Sequence, residues 1–383
     1  MTHSYVFFLG STPELSLAEL RSVLPSSSPN QLSERLVKIE IQDSVSIDQL
    51  MNRLGGTVKI GRIEQTLPLE NSLQEPTLIK SLTRYFQSLA QLSITFGLAE
   101  FNLNTQLNLT HLKQELSQLG IRTRFLRSDR FGLGAAILNH HSQILDLVLI
   151  AEAHQLHLVR TIACQELAQW TNRDRGRPYV DRRRGMLPLK VARMMVNMAI
   201  SDNLPNELTV YDPFCGTGSI IMEAASMGAV GFGSDQSQRA IAGSSANFNW
   251  LNSHNPLKHQ PQLWSAEVTD QSLIRRLPPI DAIVTEPFLG KPFPLAQQLP
   301  DIFKGLSKLY LGAFKFWRRI LKAAAKVVII FPLVETDTRK YDLSALIDKL
   351  RQLGYTTHSG PYLYARPQAV VKRQIWVFTY QPQ

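Results

Sequence analysis

Residues 210–219 of this chain read Val-Tyr-Asp-Pro-Phe-Cys-Gly-Thr-Gly-Ser, and this stretch decides the fold. An apolar run leads into an acidic residue, Asp212, and then into a turn with glycine at alternate positions, Gly216 and Gly218. From Ser219 to Met227 the residues have a helical pattern. Glycines in such a turn let the backbone approach a ligand closely, and the helix that follows points its first N–H groups toward it. The pattern therefore predicts a strand, a ligand-binding loop and a helix.

Three further strand-like runs in the second half of the chain end in an acidic side chain. They lead into Asp235, Glu267 and Glu286. Because the carboxyl ends of parallel strands meet at one edge of a sheet, we expect these carboxylates to lie with the glycine loop around one ligand site. Asp235 follows Asp212 by about 20 residues, the spacing at which a carboxylate accepts hydrogen bonds from ribose hydroxyls. It is equally well placed to cap the next helix, and the two roles are compatible.

Composition limits the class of protein. The chain has 383 residues, of which 44% are hydrophobic and 19% charged, and this predicts a globular protein of two or three domains. No apolar run is long enough to span a membrane, and the first one is too short for a signal peptide. Two cysteines, Cys164 and Cys215, do not make a disulfide framework, so we expect a reducing, cytoplasmic location. His154 and His157 lack other ligands at metal spacing, and we predict no metal site.

The net charge is +10, and many basic residues lie in one segment before the glycine loop. Arginine dominates this segment, and its planar guanidinium binds phosphate bidentately. The segment therefore predicts a polyanionic partner, although a solvated linker would have a similar composition and stays open as an alternative. Its arginines are Arg173, Arg175, Arg177, Arg182, Arg183, Arg184 and Arg193.

Four regions together make the chain resemble a known family, the THUMP-domain RNA methyltransferases that form N2-methylguanosine in tRNA. They are Phe8–Leu20, Arg173–Pro178 with Gly185–Lys190, Asp212–Ser219 and Asp281–Gly290. The first is similar to the family's leading region and the second to its linker. The third is similar to its S-adenosylmethionine loop and the fourth to its catalytic strand and turn. The resemblance spans nearly the whole chain, although the middle part matches in the order of its elements more than in its residues.

This resemblance implies a fold class and a division of the chain. We expect an α/β fold in which a Rossmann-like class I methyltransferase domain, with a mostly parallel sheet and an antiparallel last strand, follows small α+β domains. The implied parts are a ferredoxin-like domain at residues 1–60, a THUMP RNA-binding domain at 61–165, a basic linker at 166–188 and the methyltransferase domain at 189–383. Alternating helices and strands in the second half support the parallel sheet.

The resemblance also implies a cofactor, partners and roles for single residues. S-adenosyl-L-methionine is the expected cofactor, and tRNA is the expected partner. We expect a monomer and leave open a small activator subunit. RNA contacts are assigned to Arg173, Arg175 and Arg177, and cofactor contacts to Asp212, Phe214, Gly216, Gly218, Asp235 and Glu267, with Asp235 at the ribose and Glu267 at the adenine.

The expected catalytic residues are Glu286, Pro287 and Phe288, in a motif that departs from the family pattern. Members usually carry Asp-Pro-Pro-Tyr or Asn-Pro-Pro-Tyr, whereas residues 286–289 of this chain read Glu-Pro-Phe-Leu. A carboxylate and the carbonyl of Pro287 would accept the N–H bonds of an exocyclic amine and aim its nitrogen at the methyl group, while Phe288 stacks on the base. Two other functions stay open. One is an RNA-binding protein that has lost catalysis, and the other is a methyltransferase acting on adenine or on a protein amide.

Overall fold

The chain forms two compact units. The computed structural model describes residues 1–72, 75–103, 107–141, 143–180, 186–200 and 207–382. The first unit comprises Met1–Pro13, Ser26–Arg53 and Thr57–Ala168. The second comprises Glu14–Pro25, Leu54–Gly56 and Gln169–Gln383. Two short N-terminal segments therefore belong to the same unit as the glycine loop.

A single mixed sheet organises the first unit. Its described strands are β1 (Thr2–Leu9), β2 (Asn30–Ser33), β3 (Leu36–Gln42), β4 (Thr57–Pro68), β5 (Ser93–Phe101), β6 (Arg122–Leu126), β7 (Leu145–Glu152) and β8 (Gln155–Cys164). They lie in the order β2-β3-β1-β4-β8-β7-β5-β6. Strand β5 runs parallel to β6 and β7, and the other pairs are antiparallel. The predicted boundary at residue 60 falls inside β4, which pairs with both β1 and β8, so the structure does not divide the sheet there.

Amphipathic helices cover the apolar side chains of this sheet. The described helices are α2 (Ile47–Arg53), α3 (Leu69–Ser72), α4 (Glu75–Ser88), α5 (Leu109–Gln118) and α6 (Ala135–His140). In α4 the buried positions Leu78, Leu82 and Phe86 recur at helical spacing and pack against Phe96 of β5. This unit holds no residue of the glycine loop or of the carboxylates predicted around it.

The second unit is built on a mostly parallel sheet. Its strands are β9 (Thr209–Asp212), β10 (Val230–Asp235), β11 (Gln262–Ser265), β12 (Ile280–Thr285), β13 (Leu321–Glu335), β14 (Lys340–Tyr341), β15 (Tyr355–Tyr364) and β16 (Lys372–Tyr380). The order is β11-β10-β9-β12-β13-β16-β15, with β14 paired to β13. Strands β9 to β13 of the main path are parallel, whereas β16 is antiparallel to β13 and β15. The predicted parallel sheet and its antiparallel edge are confirmed.

Helices cover both faces of this sheet. They are α1 (Pro13–Val23), α7 (Leu167–Arg175), α8 (Leu189–Ala199), α9 (Ser219–Ser226), α10 (Gln238–His254), α11 (Leu273–Arg276), α12 (Leu299–Trp317) and α13 (Ser344–Arg351). Successive strand residues point to opposite faces, so Val210 joins the core under α8 and α9 while Tyr211 joins the core under α12. Strands buried on both faces have consecutive apolar residues, and Ala282, Ile283 and Val284 of β12 are accordingly all fully buried.

Within the described residues, no helix has the length and apolar character required to cross a membrane. The same residues hold no group of three potential metal ligands.

Candidate active site

The order of strands in the second unit creates a crevice between β9 and β12. From β9 the chain adds β10 and β11 on one side, and it then returns to add β12 on the other side. Loops at the carboxyl ends of β9 and β12 therefore leave in opposite directions, and this is the point where open α/β sheets bind ligands. The glycine loop follows β9 and Glu286 follows β12, so the predicted cofactor loop and the predicted catalytic residue both lie at this crevice.

Two glycines with positive φ shape the loop after β9. Gly216 has φ +52° and Gly218 has φ +85°, conformations that side chains disfavour. The Gly218 N–H donates to the Cys215 carbonyl at 2.7 Å, and the Cys215 N–H donates to Ser234 at the end of β10 at 2.9 Å. A Cβ at Gly218 would lie 2.8 Å from Ser244 Oγ, whereas a Cβ at Gly216 would meet nothing closer than 3.9 Å. Gly218 thus allows the helix to pack closely, and Gly216 leaves its backbone open to a ligand.

Asp235 links the end of β10 to the glycine loop. Its Oδ2 accepts a hydrogen bond from the Gly216 N–H at 3.1 Å, and its Oδ1 accepts one from the Ser237 N–H at 2.9 Å. The residue is half-buried, and each carboxylate oxygen has a second lone pair for a ligand hydroxyl. Ser237, not Asp235, is the N-cap of α10, since its hydroxyl accepts from Ala240 N–H. The capping role considered for Asp235 is therefore taken by another residue.

Asp212 is buried beneath the loop. It is 2% exposed, and its Oδ1 accepts hydrogen bonds from the Phe214 N–H at 3.0 Å and from Thr285 Oγ1 at 2.6 Å. Burial raises the pKa of Asp212 to about 7, and the negative charges of Asp235 and Glu286 add to the effect. The Thr285 bond joins the last residue of β12 to the last residue of β9, so the glycine loop and the turn that carries Glu286 are connected directly.

Replacing this buried carboxylate changes the pH dependence of stability. With a folded pKa near 7 against an ordinary 3.8, the folded protein binds more protons than the unfolded chain in that interval, so this group lowers stability as pH rises from about 4 to 7. Asp212→Asn keeps an acceptor without the charge. We expect the free energy of unfolding of the variant, measured with urea, to rise by about 2 to 4 kcal/mol relative to that of wild type between pH 4 and pH 8. If the difference in the free energy of unfolding between variant and wild type were the same at pH 4 and pH 8, the raised pKa of Asp212 would be contradicted.

The two other predicted cofactor residues lie beside the loop. Phe214 is half-buried and packs on the core that includes Tyr211 and Phe232. Glu267 follows β11, and its side chain is exposed at the edge of the sheet. Strand β11 pairs with β10, so Glu267 lies on the same side of the crevice as Asp235.

The three predicted catalytic residues lie in the turn after β12 and differ in their exposure to solvent. Pro287 is buried, and Phe288 is 61% exposed. The Tyr310 hydroxyl of α12 donates to the Phe288 carbonyl at 2.8 Å, and Gly290 closes the turn with φ +93°. The aromatic ring of Phe288 is thus held at the surface by a fixed backbone. Its position is suited to stacking against a base that approaches the crevice.

Glu286 has an ionic partner that the sequence did not suggest. Its side chain is 19% exposed, and Oε1 accepts a hydrogen bond from Arg373 Nε of β16 at 2.5 Å. Burial raises the pKa of Glu286, while the positive charges of Arg373 and Arg366 oppose that rise. This contact uses one carboxylate oxygen, and the other, Oε2, can accept from another donor.

The three arginines predicted to contact RNA do not share one environment. Arg177 is buried, and its Nη1 donates to Ser219 Oγ at the start of α9 at 2.9 Å. Arg173 pairs with the buried Glu223 at 3.3 Å and lies over the ring of Trp170. Arg175 is exposed.

These positions argue against direct phosphate contacts by Arg177 and Arg173, because both guanidinium groups are committed to partners within the unit. Burial removes the water that would solvate a guanidinium charge, so a buried arginine requires partners within the protein. Phosphate binding stays a prediction for Arg175, which lines a cavity of about 530 Å³ together with Arg366 and Met186. Arg182, Arg183 and Arg184 lie outside the described residues.

Sequence reasoning missed two features of this site. One is Arg373, which lies between Lys372 and Gln374 at the polar start of β16 and therefore gave no signal. The other is Phe293, which is 79% exposed on the segment after the turn that follows β12. Its signal was an aromatic residue between two prolines, Pro292 and Pro294, where no helix or strand buries it.

The sheet order and the glycine loop together define the class I methyltransferase fold. Residues 177–291 match the family model named RMKL-like, methyltransferase domain. This part of the chain is therefore similar to the methyltransferase domain of that family, and the predicted fold class is confirmed. The match begins at Arg177 and ends just beyond Gly290, so it includes both the glycine loop and the turn after β12.

One curated relative and two solved structures extend the comparison. The relative is the tRNA (guanine(10)-N2)-dimethyltransferase of Methanocaldococcus jannaschii, with 36% identity over 108 residues, which are 27% of this chain and 29% of that protein. The match thus spans less than a third of the relative's length. TrmN from Thermus thermophilus has a TM-score of 0.52 and 16% identity over 99% of this chain and 100% of its own. A possible methylase from Clostridium difficile 630 has a TM-score of 0.51 and 9% identity over 100% of this chain and 99% of its own. At these identities the two structures support the fold.

Proposed function

We propose that this protein is an S-adenosyl-L-methionine-dependent tRNA methyltransferase that modifies the exocyclic N2 of a guanosine. The observation that carries the proposal is the junction of the glycine loop with the carboxylate-bearing turn. Thr285 Oγ1 and Asp212 Oδ1, 2.6 Å apart, connect the two strand ends. A methyl donor held by the first element and an amine held by the second would be brought together there.

The residues after β9 and β10 fit the proposed cofactor. The Cβ position of Gly216 faces open space, so its backbone can lie against a ligand. Asp235 keeps acceptor capacity for ribose hydroxyls, and Glu267 lies exposed on the same side for the adenine amine. Phe214 and Gly218 complete the loop. When bound, S-adenosyl-L-methionine supplies an electrophilic methyl group on sulfur.

Glu286 would prepare the nitrogen for transfer. The lone pair of an exocyclic amine is delocalised into the base, so the free amine is a poor nucleophile. Acceptance of its N–H bonds by Glu286 and by the Pro287 carbonyl keeps electron density on nitrogen and fixes its direction. Once nitrogen gains a methyl group it must lose one proton, and the Glu286 carboxylate is the base in place to take it. Phe288, exposed beside it, would stack on the extruded base.

The choice of tRNA and of guanine rests on the relative and on the charge. The Methanocaldococcus jannaschii protein is a tRNA (guanine(10)-N2)-dimethyltransferase, and its similarity to this chain favours the same substrate class. The net charge of +10 suits a polyanionic partner. An RNA-binding role of THUMP type for residues 61–165, a monomeric state, a small activator subunit and a cytoplasmic location stay predictions.

Mass spectrometry of tRNA nucleosides tests this function in the cell. A strain that lacks the protein should lose N2-methylguanosine or N2,N2-dimethylguanosine from at least one tRNA, and the intact gene should restore it. Loss of a methylated adenosine instead would favour the adenine alternative. Unchanged tRNA nucleosides would contradict the proposal.

Asp235→Ala should weaken cofactor binding. The ribose hydroxyls would lose their charged acceptor, which costs about 1 to 3 kcal/mol, or roughly a 5- to 150-fold increase in Kd by calorimetry. Asp301, exposed on α12, provides a control because Asp301→Ala should leave affinity unchanged. Equal affinity of the Asp235 variant and wild type would remove Asp235 from the ribose site.

Arg175→Ala should reduce the salt dependence of tRNA binding. If Arg175 neutralises one phosphate, the slope of log K against log salt flattens by about one, because one counterion fewer is released. Arg351 is exposed on α13 beside Asp348, and Arg351→Ala should leave the slope unchanged. An identical slope for wild type and Arg175→Ala would assign this segment to a linker.

A further inference from the structure

We propose that Arg373 is a positioning residue for the reaction, because it holds the Glu286 carboxylate ionised and aimed into the crevice. The inference rests on the function proposed above for Glu286. Arg373 belongs to the antiparallel strand β16, outside the residues that match the methyltransferase family model. The proposed role of Arg373 therefore rests on the contacts that it makes in this structure and not on the family match.

The first support is the geometry of the pair. Arg373 Nε donates to Glu286 Oε1 at 2.5 Å, and the two side chains are 10% and 19% exposed. Arg373 lies 6.0 Å from the centre of the Tyr364 ring on β15, so aromatic packing fixes it from the other side. A planar guanidinium locked in this way restricts the carboxylate to one orientation. Strand β13 lies between β12 and β16, so the pair joins residues of two strands that are not neighbours in the sheet.

The second support is the electrostatic surroundings of Glu286. Asp212 at the end of β9 and the buried hydroxyl of Tyr310 on α12 both interact electrostatically with Glu286. Positive charge comes from Arg373 on β16 and from the exposed Arg366 after β15. Without Arg373, the burial of Glu286 would favour the protonated acid. A protonated carboxyl group accepts hydrogen bonds poorly and cannot take the proton that leaves the amine.

The length of the side chain at position 286 agrees with this role. Glutamate is one methylene longer than the aspartate or asparagine usual in the resembling family. The added length extends the carboxylate to its contact with Arg373. The departure from the family motif and the presence of Arg373 thus have one physical explanation.

The direct test measures the ionisation of Glu286 in the free protein. Carbon-13 NMR of protein labelled at glutamate carboxyl carbons, with Glu286→Gln for assignment, gives the pKa in wild type and in Arg373→Met. We expect the pKa to rise by about one pH unit or more in the variant, because the nearest positive charge is lost. The control is Lys372→Met, because Lys372 lies beside Arg373 on β16 but pairs with the exposed Glu335 of β13. Equal Glu286 titration in wild type and Arg373→Met would overturn the proposal.

The kinetic test separates positioning from a structural role. Arg373→Met should slow single-turnover methyl transfer about tenfold or more at pH 6, with a smaller loss at pH 8.5, and Arg373→Lys should recover part of the rate. In a Glu286→Gln background Arg373→Met should have no further effect. An equal, pH-independent loss in both backgrounds would show a purely structural role and contradict the proposal. If wild type transfers no methyl group, the proposed function fails, and the NMR result still decides whether Arg373 controls Glu286.

Discussion

Glu286→Ala is expected to lower the single-turnover rate of methyl transfer by ~100-fold or more, the usual effect of removing one preorganised electrostatic contact. The variant loses the carboxylate that would orient the amine and accept its proton. It also leaves Arg373 without the carboxylate that it contacts at 2.5 Å. Cofactor affinity should barely change, because the predicted cofactor contacts lie after β9, β10 and β11.

Rapid mixing of excess enzyme with unmodified tRNA measures that rate, and calorimetry measures the affinity for S-adenosyl-L-methionine. Glu335→Ala, which removes an exposed carboxylate paired with Lys372, is the matched control and should retain the wild-type rate. A Glu286→Ala variant as fast as wild type would make the carboxylate a bystander.

Glu19→Ala is expected to destabilise the second unit by about 3 to 5 kcal/mol. Glu19 lies on α1 and is fully buried. Its carboxylate accepts hydrogen bonds from the Gly55 and Gly56 N–H groups, both at 2.8 Å, and from Asn197 Nδ2 of α8 at 2.6 Å. Alanine removes this acceptor from three buried donors at once. Urea unfolding, followed by a probe within the second unit, measures the loss.

Glu14 on the same helix is exposed, so Glu14→Ala should change stability by less than about 0.5 kcal/mol. Equal unfolding of Glu19→Ala and Glu14→Ala would contradict the account. The contacts of Glu19 also correct the expectation that residues 189–383 form a complete domain. Leu15 and Ala18 of α1 pack in the same core as α8 and α9, and a fragment without α1 would expose that core.

The local pattern of the sequence was sufficient to predict the site's framework. Glycines at positions 216 and 218 require a special backbone conformation, and carboxylates at strand ends meet wherever parallel strands align. These signals depend only on residues close together in the chain, so a single sequence is enough to reveal them. The same reasoning located Asp235 and Glu286 at the crevice.

Pairings between distant segments could not be predicted in this way. Arg373 reaches Glu286 only because β16 inserts antiparallel beside β13, and nothing near residue 373 indicates that partner. Arg177 lies in an arginine-rich segment that predicted RNA binding, yet its side chain is buried and donates to Ser219. The buried Glu19 has partners at residues 55, 56 and 197, which come from two segments distant in the sequence. The continuous first sheet was missed because β4 pairs on both edges with strands far apart in sequence.

The most direct test of the central claim is methyl transfer by the purified protein. Wild-type protein is incubated with methyl-labelled S-adenosyl-L-methionine and unmodified tRNA, and the tRNA is digested to nucleosides for mass spectrometry. The account predicts label on guanosine N2, with none in the Glu286→Ala control. Absence of label at every pH tested, or label on adenosine, would contradict it.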